Sequence, residues 1–202
     1  MSVSAPSVIA AFDLDGTLTS RDTMLDFLRL TLGRVAVVKG LLAQTPALVR
    51  FRLGLLSADE AKEALFSQYF RGWSQEHFER RCTHYAATRL VRLLKEEALE
   101  RCRWHAAQGH CLVCVSASIR NWIAPWALQN GFSRVIATEV EVQGEILTGR
   151  FRGRNCNGPE KVRRFLACFP DRERYRLFAY GDSSGDRELL ALADHPFYRR
   201  FR

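Results

Sequence analysis

The sequence predicts an α/β fold with a mainly parallel sheet and helices on both faces, interrupted early by an all-helical insertion. Three observations predict it. Short continuous apolar runs at Val8–Phe12, 111–115 and 176–180 have the pattern of strands buried on both faces. Beyond residue 109, strand and helix patterns alternate, as a sheet layered between helices requires. From about Asp22 to Leu90 almost everything has helical spacing, so a helical block separates the first strand from the rest. The expected division is an α/β core of residues 1–21 and 91–202 with a helical cap at 22–90.

The elements follow in order. Val8–Phe12 runs into Asp13-Leu14-Asp15-Gly16-Thr17, a polar turn with a glycine. Asp22 supplies a helix cap before the apolar spacing of Met24, Leu25, Phe27 and Leu28. Ser57-Ala58-Asp59-Glu60 has the capping-box pattern, and Ser74 opens a further helix. Residues 90–108 suggest one long amphipathic helix closed by Gly109. The strand at 111–115 ends at Ser116-Ala117-Ser118, with Ser118 expected to cap the helix through Trp122 and Trp126. Residues 134–142 suggest a strand that turns at Gln143-Gly144 into Ile146–Phe151, a hairpin. Pro159 suits the first turn of a helix carrying Lys161. The run at 176–180 ends at Gly181-Asp182, and a helix is expected over 186–193.

Composition narrows the classes. A chain of 202 residues buries a sizeable core without disulfides or a structural metal. A formal net charge of +8, mostly arginine, suits contact with polyanions, anionic lipid or phosphorylated small molecules. No nucleic-acid-binding motif or aromatic–basic pattern accompanies it, so nucleic acid is not an expected partner. Cys111 and Cys114 have C-x-x-C spacing, but three residues apart on a strand they point to opposite faces and share no metal. The five histidines fall in no metal or base pattern. The start of the chain lacks the positive region of a signal peptide. The longest apolar region, 35–56, is interrupted by Lys39, Pro46, Arg50 and Arg52 and makes a poor spanning helix. A cytoplasmic location is expected, with peripheral membrane contact through that arginine-flanked segment as an option.

The polar residues carry the chemistry. Asp13/Asp15/Thr17, Ser116/Ser118, Lys161 and Asp182/Asp186 each follow a strand or begin a helix, at the sheet edge where α/β folds bind ligands. Carboxylates gathered there repel one another unless a cation joins them. A hard divalent ion with oxygen ligands, together with lysine, balances them, and a phosphate fits between the two. Mg²⁺ and a phosphoryl substrate are therefore expected.

In this order, Asp-x-Asp-Gly-Thr, a strand-end serine, a lysine and Gly-Asp-x-x-x-Asp resemble the four motifs of haloacid dehalogenase-like hydrolases. A helical cap between the first two motifs resembles the subgroup holding phosphoserine phosphatase and phosphatidylglycerophosphatase. The resemblance implies a Rossmann-like core and a phosphatase. It implies Asp13 as nucleophile and metal ligand, and Asp15 as general acid and base with its main-chain carbonyl on the metal. Ser116 and Lys161 would hold the phosphoryl group, with Asp182 and Asp186 as further metal ligands. Thr17, Asp22, Ala117 and Ser118 would surround the substrate, a small phosphomonoester or a lipid phosphate. Asp22 stands near the place of a cap glutamate of phosphoserine phosphatases, Lys62 or Glu63 near that of an arginine, and Gly185 replaces an asparagine. These departures point away from phosphoserine itself.

Overall fold

The structure, a computed structural model, describes residues 6–43 and 56–201. No residue of β1 (Val8–Phe12) carries a polar side chain, and such a strand is stable only where both faces are covered. With β2 (Cys111–Ile119), β3 (Phe132–Thr138), β6 (Arg176–Gly181) and β7 (His195–Tyr198) it forms a five-stranded sheet. The order is β3-β2-β1-β6-β7, every neighbouring pair parallel, with β1 in the centre. Alternation along the strands sorts the core into two layers. Ala10, Phe12, Leu112 and Cys114 face one; Ile9, Ala11, Val113, Val115 and Leu177 face the other. Cys111 packs against the second layer and Cys114 lies in the first, so the two thiols do point apart.

Helices α5 (Glu96–Ala107) and α6 (Arg120–Gln129) contribute Ala98, Cys102, Trp122 and Ile123 to the first layer. The second is closed by α7 (Pro159–Cys168) and α8 (Arg187–Leu192) through Phe165, Leu189 and Leu190. Between β1 and α5 lie the helices α1 (Thr23–Leu32), α2 (Arg34–Ala43), α3 (Ala58–Phe70) and α4 (Gln75–Thr88). Apolar faces of α1, α3 and α4 meet in an aromatic cluster of Phe27, Phe66, Phe70 and Phe78. Phe27 also stacks on Trp122 of α6, with ring centroids 4.6 Å apart and planes 24° apart. The helical insertion and the first sheet layer thus share one core, and Trp122 and Trp126 are packing residues within it. A small hairpin, β4 (Val140–Gln143) and β5 (Ile146–Phe151), turns through Gly144 and Glu145, both at positive φ.

Three local expectations need correction, and one strand carried no sequence signal. Residues 90–108 are not one helix: a 3₁₀ turn, Leu90–Arg92, is followed by an extended link before α5. Ser20 N donates to Leu93 O at 2.8 Å and Lys95 N to Leu18 O at 2.9 Å, so tertiary pairing with the loop after β1 outcompetes helix propensity. The strand expected at 134–142 breaks at Glu139, because Thr138 Oγ1 lies 2.7 Å from both Ala117 O and Asn155 Oδ1, where the chain leaves the sheet for the hairpin. Ser118 does not cap α6; it lies inside β2, and α6 begins at Arg120 without a side-chain cap. β7 had no strand signal in the sequence; its Pro196 suits an edge strand, which loses least by lacking an N–H. Of the apolar region at 35–56, residues 44–55 lie outside the described residues, as do 1–5. No helix among the described residues is long and apolar enough to cross a membrane.

Candidate active site

The ladder between β1 and β6 runs one residue past the strand: Asp13 N donates to Tyr180 O at 2.9 Å. That bond places the Asp13 carboxylate at the carboxyl edge of the central strand. The chain then turns back, with Thr17 N and Thr19 N donating to Leu14 O at 3.2 and 2.9 Å. Gly16 is required in this turn. Its φ is +85°, and a Cβ there would stand 2.4 Å from Asp182 Oδ2. The loop after β1 can therefore lie directly against the loop after β6.

Lys161, on the first turn of α7, is 2% exposed and joins the two loops. Its Nζ lies 2.6 Å from Asp13 Oδ1 and 2.5 Å from Asp186 Oδ1. The other Asp186 oxygen accepts from Asp182 N at 3.1 Å, Ser183 N at 3.0 Å and Ser183 Oγ at 2.8 Å. Both Asp186 oxygens thus have hydrogen-bond partners, as a buried carboxylate requires. Oxygens of Asp13, Asp182 and Asp186 all fall within 4.8 Å of one another. Three carboxylates against one ammonium leave the centre short of positive charge, and their donors are all hard oxygens. That donor set fits Mg²⁺.

Electrostatics follow from burial. Loss of water pushes Asp13 up to about 7, against the pull of Lys161 and with the help of Asp186. Burial also opposes the ionised form of Asp186, but the Lys161 charge and hydrogen bond outweigh it and hold the group below the usual carboxylate range. For Lys161, burial is overcome by its two carboxylate partners, which raise it.

Asp15 stands apart from the acidic cluster. Its Oδ1 accepts from Thr23 N at 2.8 Å and its Oδ2 from Ser118 Oγ at 2.6 Å. Ser118 Oγ is also 2.7 Å from Thr23 Oγ1, to which Trp122 Nε1 donates at 3.3 Å. Burial, followed by the nearby Asp22, raises Asp15 above its ordinary value. Ser116 is buried and its Oγ accepts from Ser118 N at 3.1 Å. Thr17 is also buried, its Oγ1 without a hydrogen-bond partner. Asp22 caps α1, accepting from Leu25 N.

The sequence left Lys62 and Glu63 as alternatives, and the structure separates them. Lys62 Nζ donates to Ala117 O at 2.7 Å, whereas Glu63 turns away and accepts from Phe151 N at 2.8 Å. Burial lowers Lys62, partly offset by the charges of Asp15 and Asp22. Sequence reasoning passed over Thr23 and Asn155. Thr23 holds Asp15 from the start of α1, and Asn155 Nδ2 donates to Asp59 Oδ1 at 2.7 Å, tying α3 to the segment after the hairpin. A threonine directly behind a helix cap and an asparagine near a glycine look like ordinary turn chemistry, so no sequence signal marked them.

Comparison with known proteins agrees with this layout. The profile of the haloacid dehalogenase-like hydrolase family matches residues 10–191. Protein CicA of Caulobacter vibrioides is 35% identical over 197 residues, covering 96% of this chain and 87% of that protein. A Bordetella pertussis Tohama I protein of unknown function superposes with a TM-score of 0.77 at 26% identity, over 93% of this chain and 87% of that one. A phosphoserine phosphatase, solved as a phospho-aspartyl intermediate analogue, shares the fold with a TM-score of 0.64 at 19% identity, over 94% of this chain and 84% of that one. The chain belongs to the haloacid dehalogenase-like hydrolase family.

Proposed function

We propose that this chain is a Mg²⁺-dependent phosphomonoester hydrolase that forms an aspartyl-phosphate on Asp13. The observation that carries the reading is the Lys161 ammonium bridging Asp13 and Asp186 beside Asp182 in a buried, oxygen-rich centre. Asp13, Asp182 and Asp186 would hold Mg²⁺, which when bound neutralises charge on the phosphoryl oxygens. Lys161 pulls Asp13 towards its ionised, nucleophilic form, orients it and offers positive charge to the phosphoryl group. Thr17 Oγ1, buried and unpartnered, is a hydroxyl available to the substrate. Ser116 and the main chain at Ala117 and Ser118 line the phosphate side. The proposed core is 1–21 with 91–202, and the proposed cap is 22–90.

Asp15 takes the proton-transfer role. Its carboxyl is held by Ser118 and Thr23 away from the acidic cluster, and burial favours its neutral form. A neutral acid protonates the leaving oxygen; its conjugate base then activates the water that cleaves the aspartyl-phosphate. Substrate choice falls to the cap, where Asp22 and Lys62 face this edge. Lys62, bonded to Ala117 O, stands near the place of the arginine of phosphoserine phosphatases, and that departure favours a small phosphomonoester other than phosphoserine.

Two variants test the mechanism. With para-nitrophenyl phosphate, Asp15→Asn is expected to release about one equivalent of nitrophenol per site and then stall. That leaving group needs no acid, but the trapped phosphoenzyme lacks its base. On an alkyl phosphate the same variant should lose roughly 10²–10⁴-fold in rate. Asp13→Asn should show neither burst nor phosphoenzyme. Equal impairment of both variants on both substrates would refute the assignment.

One observation favours a lipid phosphate as an alternative substrate. On α2, Val35, Val38 and Leu42 are 69%, 55% and 67% exposed, and Arg34 and Lys39 lie on the same helix. An apolar row flanked by basic residues suits contact with an anionic membrane surface.

A further inference from the structure

The link before α5 carries an unfavourable local choice. Lys95 occupies the N-cap of α5, and its side chain makes no capping hydrogen bond to it. N-caps favour Ser, Thr, Asp or Asn, whose oxygens accept from the first-turn amides, and a cation there opposes the helix dipole. The lysine side chain is used elsewhere. Its Nζ donates to Gly16 O at 2.5 Å and to Phe201 O at 3.1 Å.

Both contacts lead to the acidic centre. Gly16 is the residue whose Cα lies against the Asp182 carboxylate, so the position of its peptide sets the space left for that carboxylate. Phe201 belongs to the segment after β7, which crosses the loop carrying Asp182. There Arg199 N donates to Gly181 O at 2.8 Å and Arg199 Nε to Asp182 O at 3.1 Å. Arg199 adopts φ +55°, a left-handed conformation that costs a non-glycine residue energy and persists only where neighbours enforce it. Phe197 and Phe201 pack on Tyr180, at ring distances of 4.7 and 5.5 Å, anchoring the segment to the strand that leads into Asp182.

We propose that Lys95 is a positioning residue for the divalent-metal centre, acting with Arg199 to fix the spacing between the loop of Gly16 and the loop of Asp182. Lys95 touches neither the acidic oxygens nor Lys161. It acts by clamping two carbonyls, one on the Asp13 loop and one on the segment that straps the Asp182 loop. This inference rests on the metal-dependent reading of the site. It adds a residue outside the recognised motifs and a strap formed by residues 197–201. Groups that orient metal ligands from outside the coordination sphere typically change metal affinity about 10–100-fold when removed.

The test uses the full chain and Mg²⁺ itself. Binding is measured by calorimetry and by the Mg²⁺ concentration giving half-maximal phosphatase activity, alongside substrate KM. Lys95→Met should raise both Mg²⁺ values about 10–100-fold, with substrate KM at saturating Mg²⁺ changed less than threefold. Lys95→Arg, which keeps a multivalent donor, should recover most of the affinity. Arg199→Ala, at an exposed side chain, should weaken Mg²⁺ in the same direction and serves if Lys95→Met folds poorly. Unchanged Mg²⁺ affinity in folded Lys95→Met and in Arg199→Ala overturns the proposal while the phosphatase reading stands. A wild type that binds no Mg²⁺ removes both. A loss in Lys95→Met that appears in substrate KM but not in Mg²⁺ binding assigns Lys95 to substrate instead and also overturns it.

Discussion

Polar residues below the sheet edge are as tightly specified as those above it. His105 is fully buried beneath Phe12; its Nε2 lies 2.9 Å from Tyr180 Oη and its Nδ1 2.8 Å from His110 Nδ1. Burial, with the neighbouring His110 and Arg101 charges, pushes His105 down to about 4. Tyr180 is also the residue whose carbonyl receives the Asp13 amide, so this network supports Asp13 from below. The folded protein therefore binds fewer protons at His105 than the unfolded chain, whose histidines titrate near 6.5. Stability from this group is complete above pH 6.5 and is lost as pH falls from there towards 4, by about 1–3 kcal/mol. Melting curves from pH 7 to 4.5 should show the loss. His105→Phe, although weaker at pH 7, should have a shallower pH dependence across that interval. Parallel curves for the two proteins would refute the linkage.

Single elements differ in how openly the sequence announces them. β1, α1, α3 and α4 were legible because each combines an apolar pattern with a local signal: the run at Val8–Phe12, then caps at Asp22, Ser57 and Ser74, each accepting the expected amide. The Asp13, Lys161 and Asp186 cluster was legible because residue order fixes which strand ends they follow. What escaped lies where tertiary contacts override local preference. The link at residues 93–95 pairs with the loop after β1, β7 completes the sheet only as an edge, and Ser118 spends its hydroxyl on Asp15 rather than on α6. Thr23 reaches Asp15, and Asn155 reaches Asp59 on α3, through contacts 8 and 96 residues apart in sequence, pairings that no local pattern encodes. At this scale α2 makes its own prediction. Wild-type protein should cosediment with anionic liposomes, and Val38→Asp with Leu42→Asp should reduce that binding at least tenfold. Absence of wild-type binding would remove the membrane surface reading.

For the molecule as a whole, the proposed metal centre would link Mg²⁺ binding to folding. Asp13 follows the central strand, Asp182 and Asp186 follow the neighbouring one, and Lys161 begins α7, so the centre forms only when the sheet and the second-layer helices are all assembled. The unfolded chain has no such cluster and binds Mg²⁺ weakly. Mg²⁺ bound only by the folded state stabilises it by about 2.7 kcal/mol at a hundred times its Kd. For a chain of this length that corresponds to a rise in Tm of about 5–10 °C. Asp182→Asn removes one carboxylate from the proposed metal centre without cutting the Lys161 pairs, so it should remain folded in the absence of metal and lose most of the Mg²⁺-induced rise. The same variant should require far more Mg²⁺ for phosphate release. A wild-type Tm that does not respond to millimolar Mg²⁺, or full phosphate release in excess chelator, would show that the carboxylates are gathered for a purpose other than holding the metal.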